Sequence, residues 1–476
     1  MHSEPQNTIT ETVNDTGKRA KYIRNMLKNK SLSPMIELSR GGSDNYATEC
    51  FVPKRNPKNA RDDNDIRYQI NKKDLDLLQV IQEIGGKMMY IKSGSTGHTF
   101  MGIDAELAKQ MHEENERKKQ RGEEVDNKIS PGMYAVKFVA YKKSENGSIY
   151  DIRRPENAEQ VMLKILSYFV LNNHTPHIVL PMASFYYDIR EFIRLASKVT
   201  PKEKKFNDFV TKYEEGEFHD EISVLISEWA NGGDLLDYLR KNYLKLSVNE
   251  WRVIFFQLLQ TLAVIQDKYP TFRHNDLKAN NILLHYTDLN CDEDRKTKYY
   301  KYCVNNMEFI VPNIGFQIKI WDFDFACIPG MVDNFKVYAK WTKKINVKPV
   351  GNRYYDIHYF FNSLTKKAFL PRFWEAEEIP RKVKKFIKRI IPEPYRDGNK
   401  VSTDKGRLLE NVEFTTPYEL LEKDPFFDKF RPKHKTPTSK YSSSSYRQNT
   451  TSAIGTVARS QMIHTYRNED VSETSD

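Results

Sequence analysis

The sequence predicts an α+β fold in two lobes, a small strand-rich lobe followed by a larger helical one. Three observations predict it. Strand-like runs concentrate before Trp229, helical patterns dominate from Leu235 onward, and the short connection Ala230–Gly233 separates the two regimes. The length of 476 residues accommodates both lobes and flanking segments, because a single core usually stops growing near ~250–300 residues.

Residues 1–75 are polar and read as an N-terminal extension with at most one short helix, around Arg19–Lys28. The first lobe is placed at 76–229, with insertions. Met88–Ile91 and Thr99–Ile103 read as two strands with Ser93–His98 as their turn. Glu106 to Val125 is charged and reads as a solvated helix or an exposed insertion. Tyr134–Tyr141 reads as a buried strand. Ala158–Val170 has helical periodicity, with Val161, Met162, Ile165, Leu166 and Phe169 on one face. Ile178–Tyr187 and Ile222–Glu228 are strand-like, separated by a polar, helix-prone insertion from about Arg190 to Glu217. The second lobe is placed at 230–432 and contains a long apolar helix, Val253–Gln266, too short and too interrupted by Gln to cross a bilayer. Residues 433–476 are rich in Ser, Thr and Tyr without periodicity and read as a disordered tail.

Composition narrows the function classes. A hydrophobic fraction of 39% with 29% charged residues is that of an ordinary globular protein. The four cysteines, Cys50, Cys291, Cys303 and Cys327, include no CxxC pair, so neither a zinc site nor a disulfide framework is indicated. No apolar stretch reaches the ~18–20 residues of a membrane span, and the N-terminus lacks the apolar core of a signal peptide. A cytosolic or nuclear protein is expected. The net charge of +11 fits nucleic acid, an anionic surface, acidic substrates or a solvated basic surface, and nucleic-acid binding is not indicated beyond that charge.

The strongest chemical signal is His274-Asn275-Asp276-Leu277-Lys278-Ala279-Asn280-Asn281 followed by the strand Ile282–Leu284, with Lys319-Ile320-Trp321-Asp322-Phe323-Asp324-Phe325 downstream. These stretches resemble the catalytic loop and the metal-binding Asp-Phe-Gly motif of eukaryotic protein kinases, and the resemblance runs from about Leu77 to Phe430. It implies a bilobal protein-kinase-like fold. Phosphoryl transfer needs a positioned nucleophile and neutralised phosphate charge rather than covalent help. Under the resemblance Asp276 accepts the proton of the substrate hydroxyl. Lys278 reaches the γ-phosphate and follows the serine/threonine rather than the tyrosine pattern. Asn281 and Asp322 hold Mg²⁺ through hard oxygen donors.

Upstream, Tyr134-Ala135-Val136-Lys137 matches the strand whose lysine holds the α- and β-phosphates of ATP. Glu159 matches the helix glutamate that aims that lysine; Glu156, the competing candidate, lies too near the helix start at Pro155. Glu228-Trp229-Ala230-Asn231-Gly232-Gly233-Asp234-Leu235 resembles the connection between the lobes, where backbone groups near Glu228 and Ala230 would bind adenine and Asp234 ribose. Gly94 and Gly97 keep the second and third glycines of the phosphate loop, with Lys92 at the first position. Taken alone, each of these stretches is also an ordinary turn, strand end or strand-to-helix connection.

Several positions depart from the pattern. Asn275 stands where many kinases carry Arg, which argues against phosphorylation of the activation segment as an obligatory switch. Asp324 replaces a glycine and either binds metal or faces solvent. The Ala-Pro-Glu motif is missing ahead of Tyr354-Tyr355-Asp356-Ile357-His358, which resembles the start of the central helix of the large lobe. Asp333–Arg353 is rich in Lys, which either favours acidic residues near the target or forms a solvated loop. An insertion is expected at His285–Asn313. Arg381–Ile390 reads as an amphipathic basic helix with Val383, Phe386, Ile387 and Ile390 on its apolar face, and Thr416 through Phe427 resembles the closing helix of kinase domains. Phe323-Asp324-Phe325 and the Tyr-Tyr-Asp-x-His pattern are similar to the serine/threonine kinases of poxviruses and other large DNA viruses, which are packaged in virions. The resemblance implies an ATP- and Mg²⁺-dependent protein kinase acting on Ser/Thr of protein substrates, in the host cytoplasm and the virion. The rival readings are an inactive pseudokinase scaffold and a kinase-fold enzyme acting on a small molecule.

Overall fold

The strand-forming runs of the first half pair into one sheet. The computed structural model describes residues 10–12, 16–36, 70–94, 97–104, 133–200, 203–286, 299–397 and 401–432 apart from 71, 85 and 146, with isolated positions between 109 and 121. β1 (Thr10–Thr12) and a helix, Thr16–Leu27, come first. β2 (Lys73–Asp74), β3 (Gly86–Ser93), β4 (Gly97–Asp104), β5 (Met133–Lys142), β6 (Pro181–Asp188) and β7 (Phe218–Glu228) then form a six-stranded sheet in the order β2-β6-β7-β5-β4-β3. All its pairings are antiparallel except β2 with β6. The observed β3 and β4 extend beyond the expected runs. The central β5 is apolar on both faces, with Tyr134, Val136, Phe138 and Ala140 fully buried on one and Ala135 and Tyr141 buried on the other, as a covered strand requires.

Pro155 opens the helix Pro155–Leu171, where its missing N–H costs nothing. Val161, Met162, Ile165, Leu166 and Phe169 are all buried there. The insertion between β6 and β7 folds as two helices, Ile189–Val199 and Lys204–Glu214, capped by the carboxylates of Asp188 and Glu203. The helix near the start of the chain is not detached from this sheet. Ile23, Leu27, Leu32 and Ile36 are buried, and Arg19 donates to both Glu228 carboxylate oxygens and to the carbonyls of Pro176 and Ile178.

After Trp229 the chain is mainly helical. Helix Val248–Lys268 begins with a reciprocal capping box between Ser247 and Glu250, and every residue from Trp251 to Gln266 is buried. It is the central post of the helical part. No helix among the described residues is long and apolar enough to cross a membrane. β8 (Ile282–Tyr286) pairs with β11 (Phe316–Ile320), and between them β9 (Tyr299–Val304) and β10 (Met307–Pro312) form a hairpin joined by β1. The insertion expected at His285–Asn313 thus carries strands of its own, because Tyr302 and Phe309 bury their rings against Phe256. Arg381–Ile390 is a helix whose apolar face is wholly buried; Phe386 stacks on Phe255 and Phe426. Helix Pro417–Lys423 follows, with a second capping box, Thr416 and Glu419. The tail 433–476 and most of the charged stretch 106–125 lie outside the described residues.

Candidate active site

Lys137 points from β5 toward the helix Pro155–Leu171. Its Nζ donates to Glu159 Oε1 at 2.7 Å and Oε2 at 2.9 Å, and to Asp322 Oδ1 at 3.1 Å. The two candidate glutamates separate here: Glu159, one turn further along the helix, meets Lys137, whereas Glu156 pairs with Arg154. Burial opposes the Lys137 charge, but the Asp322 and Glu159 carboxylates override it and raise its pKa above the usual lysine range. Burial likewise works to raise the Asp322 carboxyl, and the adjacent Lys137 ammonium overrides it and holds it at about 2. Glu159 is pushed upward by burial, against the pull of Lys137.

The β8–β11 ladder explains why two distant polar residues meet. Ile282 pairs with Ile320, and Trp321 N donates to Asn281 O at 3.1 Å, so the residues just outside the ladder, Asn281 and Asp322, come to one end of it. Asp322 has φ 65°, as does Asn275, a left-handed conformation that Asn and Asp tolerate better than other non-glycine residues. Asn281 Nδ2 donates to Asp276 O and Oδ2, both at 2.9 Å, leaving its carbonyl oxygen for another partner. Lys278 Nζ donates to Asp276 Oδ2 at 2.7 Å. Asp276 Oδ1 accepts from Arg407. The loop backbone is held from beneath: Asp356 Oδ2 accepts from His274 N at 2.7 Å and Oδ1 from Asn275 N at 2.9 Å.

A cavity of about 900 Å³ joins these groups, with Gly94, Gly97, Lys137, Glu159, Lys278, Asn281, Asp322 and Asp324 among its walls. Asp276 sits one layer behind them, 8% exposed. Gly94 and Gly97 close the β3–β4 turn, with Gly94 N donating to Gly97 O at 2.6 Å. Lys92 also lines the cavity. Asp324 pairs with Lys336 at 2.6 Å. Ala135, Glu228, Ala230 and Asp234 are not brought to these walls. Glu228 and Ala230 line a separate 40 Å³ cavity with Arg19. The Glu228 side chain is spent on Arg19 and on Leu180 N. Asp234 caps the helix Leu235–Asn242 by accepting from Asp237 N.

The donor set suits a nucleoside triphosphate with a hard cation. Asn281 and Asp322 offer an amide and a carboxylate oxygen, the number of protein ligands Mg²⁺ commonly takes beside phosphate oxygens. Two polar residues of this site were not anticipated as such. Asp356 lay in a recognised motif, but nothing in its spacing announced that it would cap the catalytic loop. Arg407 carries no sequence signal at all, since it lies 131 residues from Asp276.

The poxvirus serine/threonine protein kinase family model matches residues 238–390, a span containing the catalytic loop, Asp322 and Asp356. A mimivirus (Acanthamoeba polyphaga mimivirus) protein named as a serine/threonine-protein kinase, R400, is 44% identical over 420 residues, covering 87% of this chain and 80% of its own. A second mimivirus protein so named, R301, is 31% identical over 193 residues, 36% of this chain and 46% of its own. A Dictyostelium discoideum protein named as a kinase of the same class is 30% identical over 145 residues, 30% of this chain and 11% of its own. With the Lys137–Glu159–Asp322 cluster beside the loop Asp276–Asn281, these likenesses establish that the chain belongs to the poxvirus-type serine/threonine protein kinases.

Proposed function

We propose that the protein transfers the γ-phosphoryl group of Mg-ATP to Ser or Thr hydroxyls of protein substrates, in a cleft between a sheet-bearing lobe (76–229) and a helical lobe (230–432). The observation that carries this reading is the Lys137 ammonium held between Glu159 and Asp322 on a cavity that Lys278 and Asn281 also line. Lys137 holds the α- and β-phosphates, Glu159 aims it, and the amides near Gly94 and Gly97 approach phosphate oxygens. Asn281 and Asp322 hold Mg²⁺, which when bound neutralises charge building on the phosphates. Asp276 receives the proton of the acceptor hydroxyl, and Lys278 offsets charge in the transition state. Adenine is assigned to backbone groups of Glu228 and Ala230, beside Ala135, and ribose to Asp234, although none of the four lines the cavity that holds Lys137.

The acceptor is an acidic protein segment. Lys340, Lys343 and Lys344 are exposed on the stretch beyond Asp324, and Lys405 lines the cavity. The exposed Trp341 lines it as well. The setting is the cytoplasm of an infected host cell and the virion.

Labelling with Mg-ATP tests the reading. The wild type is expected to phosphorylate a Ser peptide flanked by Asp and Glu at least tenfold faster than one flanked by Lys and Arg, and Asp276→Asn to lose about 1,000-fold in rate, within the range for removing a general base. Equal labelling by wild type and Asp276→Asn would leave a pseudokinase scaffold, and preferential transfer to a small-molecule acceptor would leave a kinase-fold phosphotransferase.

A further inference from the structure

Asp276 is held from three sides, and one of them belongs to no feature recognised in the sequence. Lys278 and Asn281 hold Oδ2. Both also line the cavity, where the oxygens of a bound triphosphate would compete for them. Oδ1 is held by Arg407 Nη2. Arg407 is 8% exposed. Its Nη1 donates to Asn275 O and to the Tyr355 hydroxyl at 3.2 Å, and its guanidinium lies 4.2 Å from the centre of the Tyr359 ring. A planar fork tied at both ends and stacked on a ring has few orientations left to it.

The segment delivering Arg407 is rigid in its own right. Ser402 and Leu408 form a bridge, Thr403 N donates to Arg407 O at 2.9 Å, and Gly406 N donates to Thr403 O at 2.8 Å. Arg407 N donates to Thr403 Oγ1 at 3.0 Å. Gly406 has φ +87°, and a Cβ built there would lie 2.7 Å from Ser363 N. The turn is therefore seated directly on the helix Tyr355–Leu364, the helix whose Asp356 caps the catalytic loop. Loop and guanidinium share one foundation.

We infer that Arg407 is a positioning residue for the transfer reaction, locking the Asp276 carboxylate in the orientation that receives the acceptor hydroxyl; this rests on the kinase reading of Asp276. Asn275, beside Asp276, brings no charge to the loop, and Arg407 supplies a cation there from a distant turn. Lys405, two residues earlier, and Tyr359, under the guanidinium, line the cavity, whereas neither Arg407 nor Asp276 is among its walls. Activity then needs no added phosphate on the segment after Asp322 to order the catalytic loop.

Full-length Arg407→Gln, Arg407→Ala and Arg407→Lys test this with Mg-ATP and an acidic Ser peptide. Misplacing a reacting group by about 1 Å costs on the order of 100-fold, so the Gln and Ala variants are expected to lose about that in kcat. Their KM for ATP and their affinity for a non-hydrolysable ATP analogue should stay within twofold. Lys, which keeps the charge, should regain at least tenfold. If Ala does not fold, the Gln and Lys pair decides. A Gln variant with kcat within threefold of wild type overturns the inference, and so does one with raised kcat, which would make the contact inhibitory. Loss of kcat in step with thermal stability and analogue affinity, with Lys no better than Gln, also overturns it in favour of a purely structural ion pair. A wild type that transfers no phosphate removes the kinase reading itself, whereas an active wild type with an unaffected Gln variant removes only this inference.

Discussion

The catalytic-loop wall and the glycine-hairpin wall face the same cavity, and different interactions hold them. The loop wall is tied by charge-assisted hydrogen bonds, two of them from distant segments, Asp356 on the backbone and Arg407 on Asp276, and one within the loop, from Asn281 to Asp276. The hairpin wall is clamped by apolar packing. His98, at the start of β4, is buried among Phe192, Phe206 and Phe209, with ring centres 5.6, 5.4 and 4.3 Å away. Those rings come from the two insertion helices between β6 and β7. Hydrogen bonds fix direction, which suits the proposed role of Asp276 toward one acceptor atom. Packing is non-directional and fixes a surface rather than one atom, which suits the proposed role of the hairpin over phosphates. Damage to the first wall should therefore appear in kcat, and damage to the second in KM for ATP.

The sharpest way to break this contrast is Asp356→Ala. It strands two buried amides, at about 1–3 kcal/mol each, and frees the loop that carries Asp276. A fall in kcat of at least about 100-fold is expected, with the loss of stability visible in denaturant unfolding. If instead KM for ATP carries the effect, the two walls are not separate. Phe209→Ala acts on the other wall. Phe209 is fully buried, and such truncations cost about 3–5 kcal/mol. KM for ATP should rise roughly tenfold while kcat stays within about threefold, a local effect in line with loosened packing, and hydrogen exchange in β3 and β4 should quicken. The smallest effect is a pH dependence. Burial pushes the His98 imidazole down to about 4, only partly offset by Glu203. A histidine with a depressed pKa stabilises the fold fully above its unfolded value near ~6.5 and loses that contribution as pH falls toward the folded value. Between pH 7.5 and 5 the loss amounts to about 2 kcal/mol. His98→Leu should abolish this part of the slope in unfolding curves; an unchanged slope would place the titration elsewhere.

Lys137 and Glu159 show how much of the site was legible. Periodicity marks the strand and the helix, and the resemblance to protein kinases implies which lysine and which glutamate of them meet. The octet ending at Asn281 was legible because its residues are close in the chain and its spacing is specific. The hairpin β9–β10 was not, because His285–Asn313 contains no long apolar run and folds only where Phe256 offers a partner. The docking of Arg19 on Glu228 was likewise invisible: a lone arginine in a polar stretch has no periodicity to report.

The order of strands and helices, the paired motifs and the amphipathic faces were determined by the sequence alone, because each depends on residues within a few turns of one another. Which carboxylates meet which cations was decided only in three dimensions. Arg407 and Asp276, or Asp356 and the amides of His274 and Asn275, lie too far apart in the chain for local pattern to couple them. Their pairing exists because one buried helix, Tyr355–Leu364, is the common support on which both the loop and the Arg407 turn come to rest.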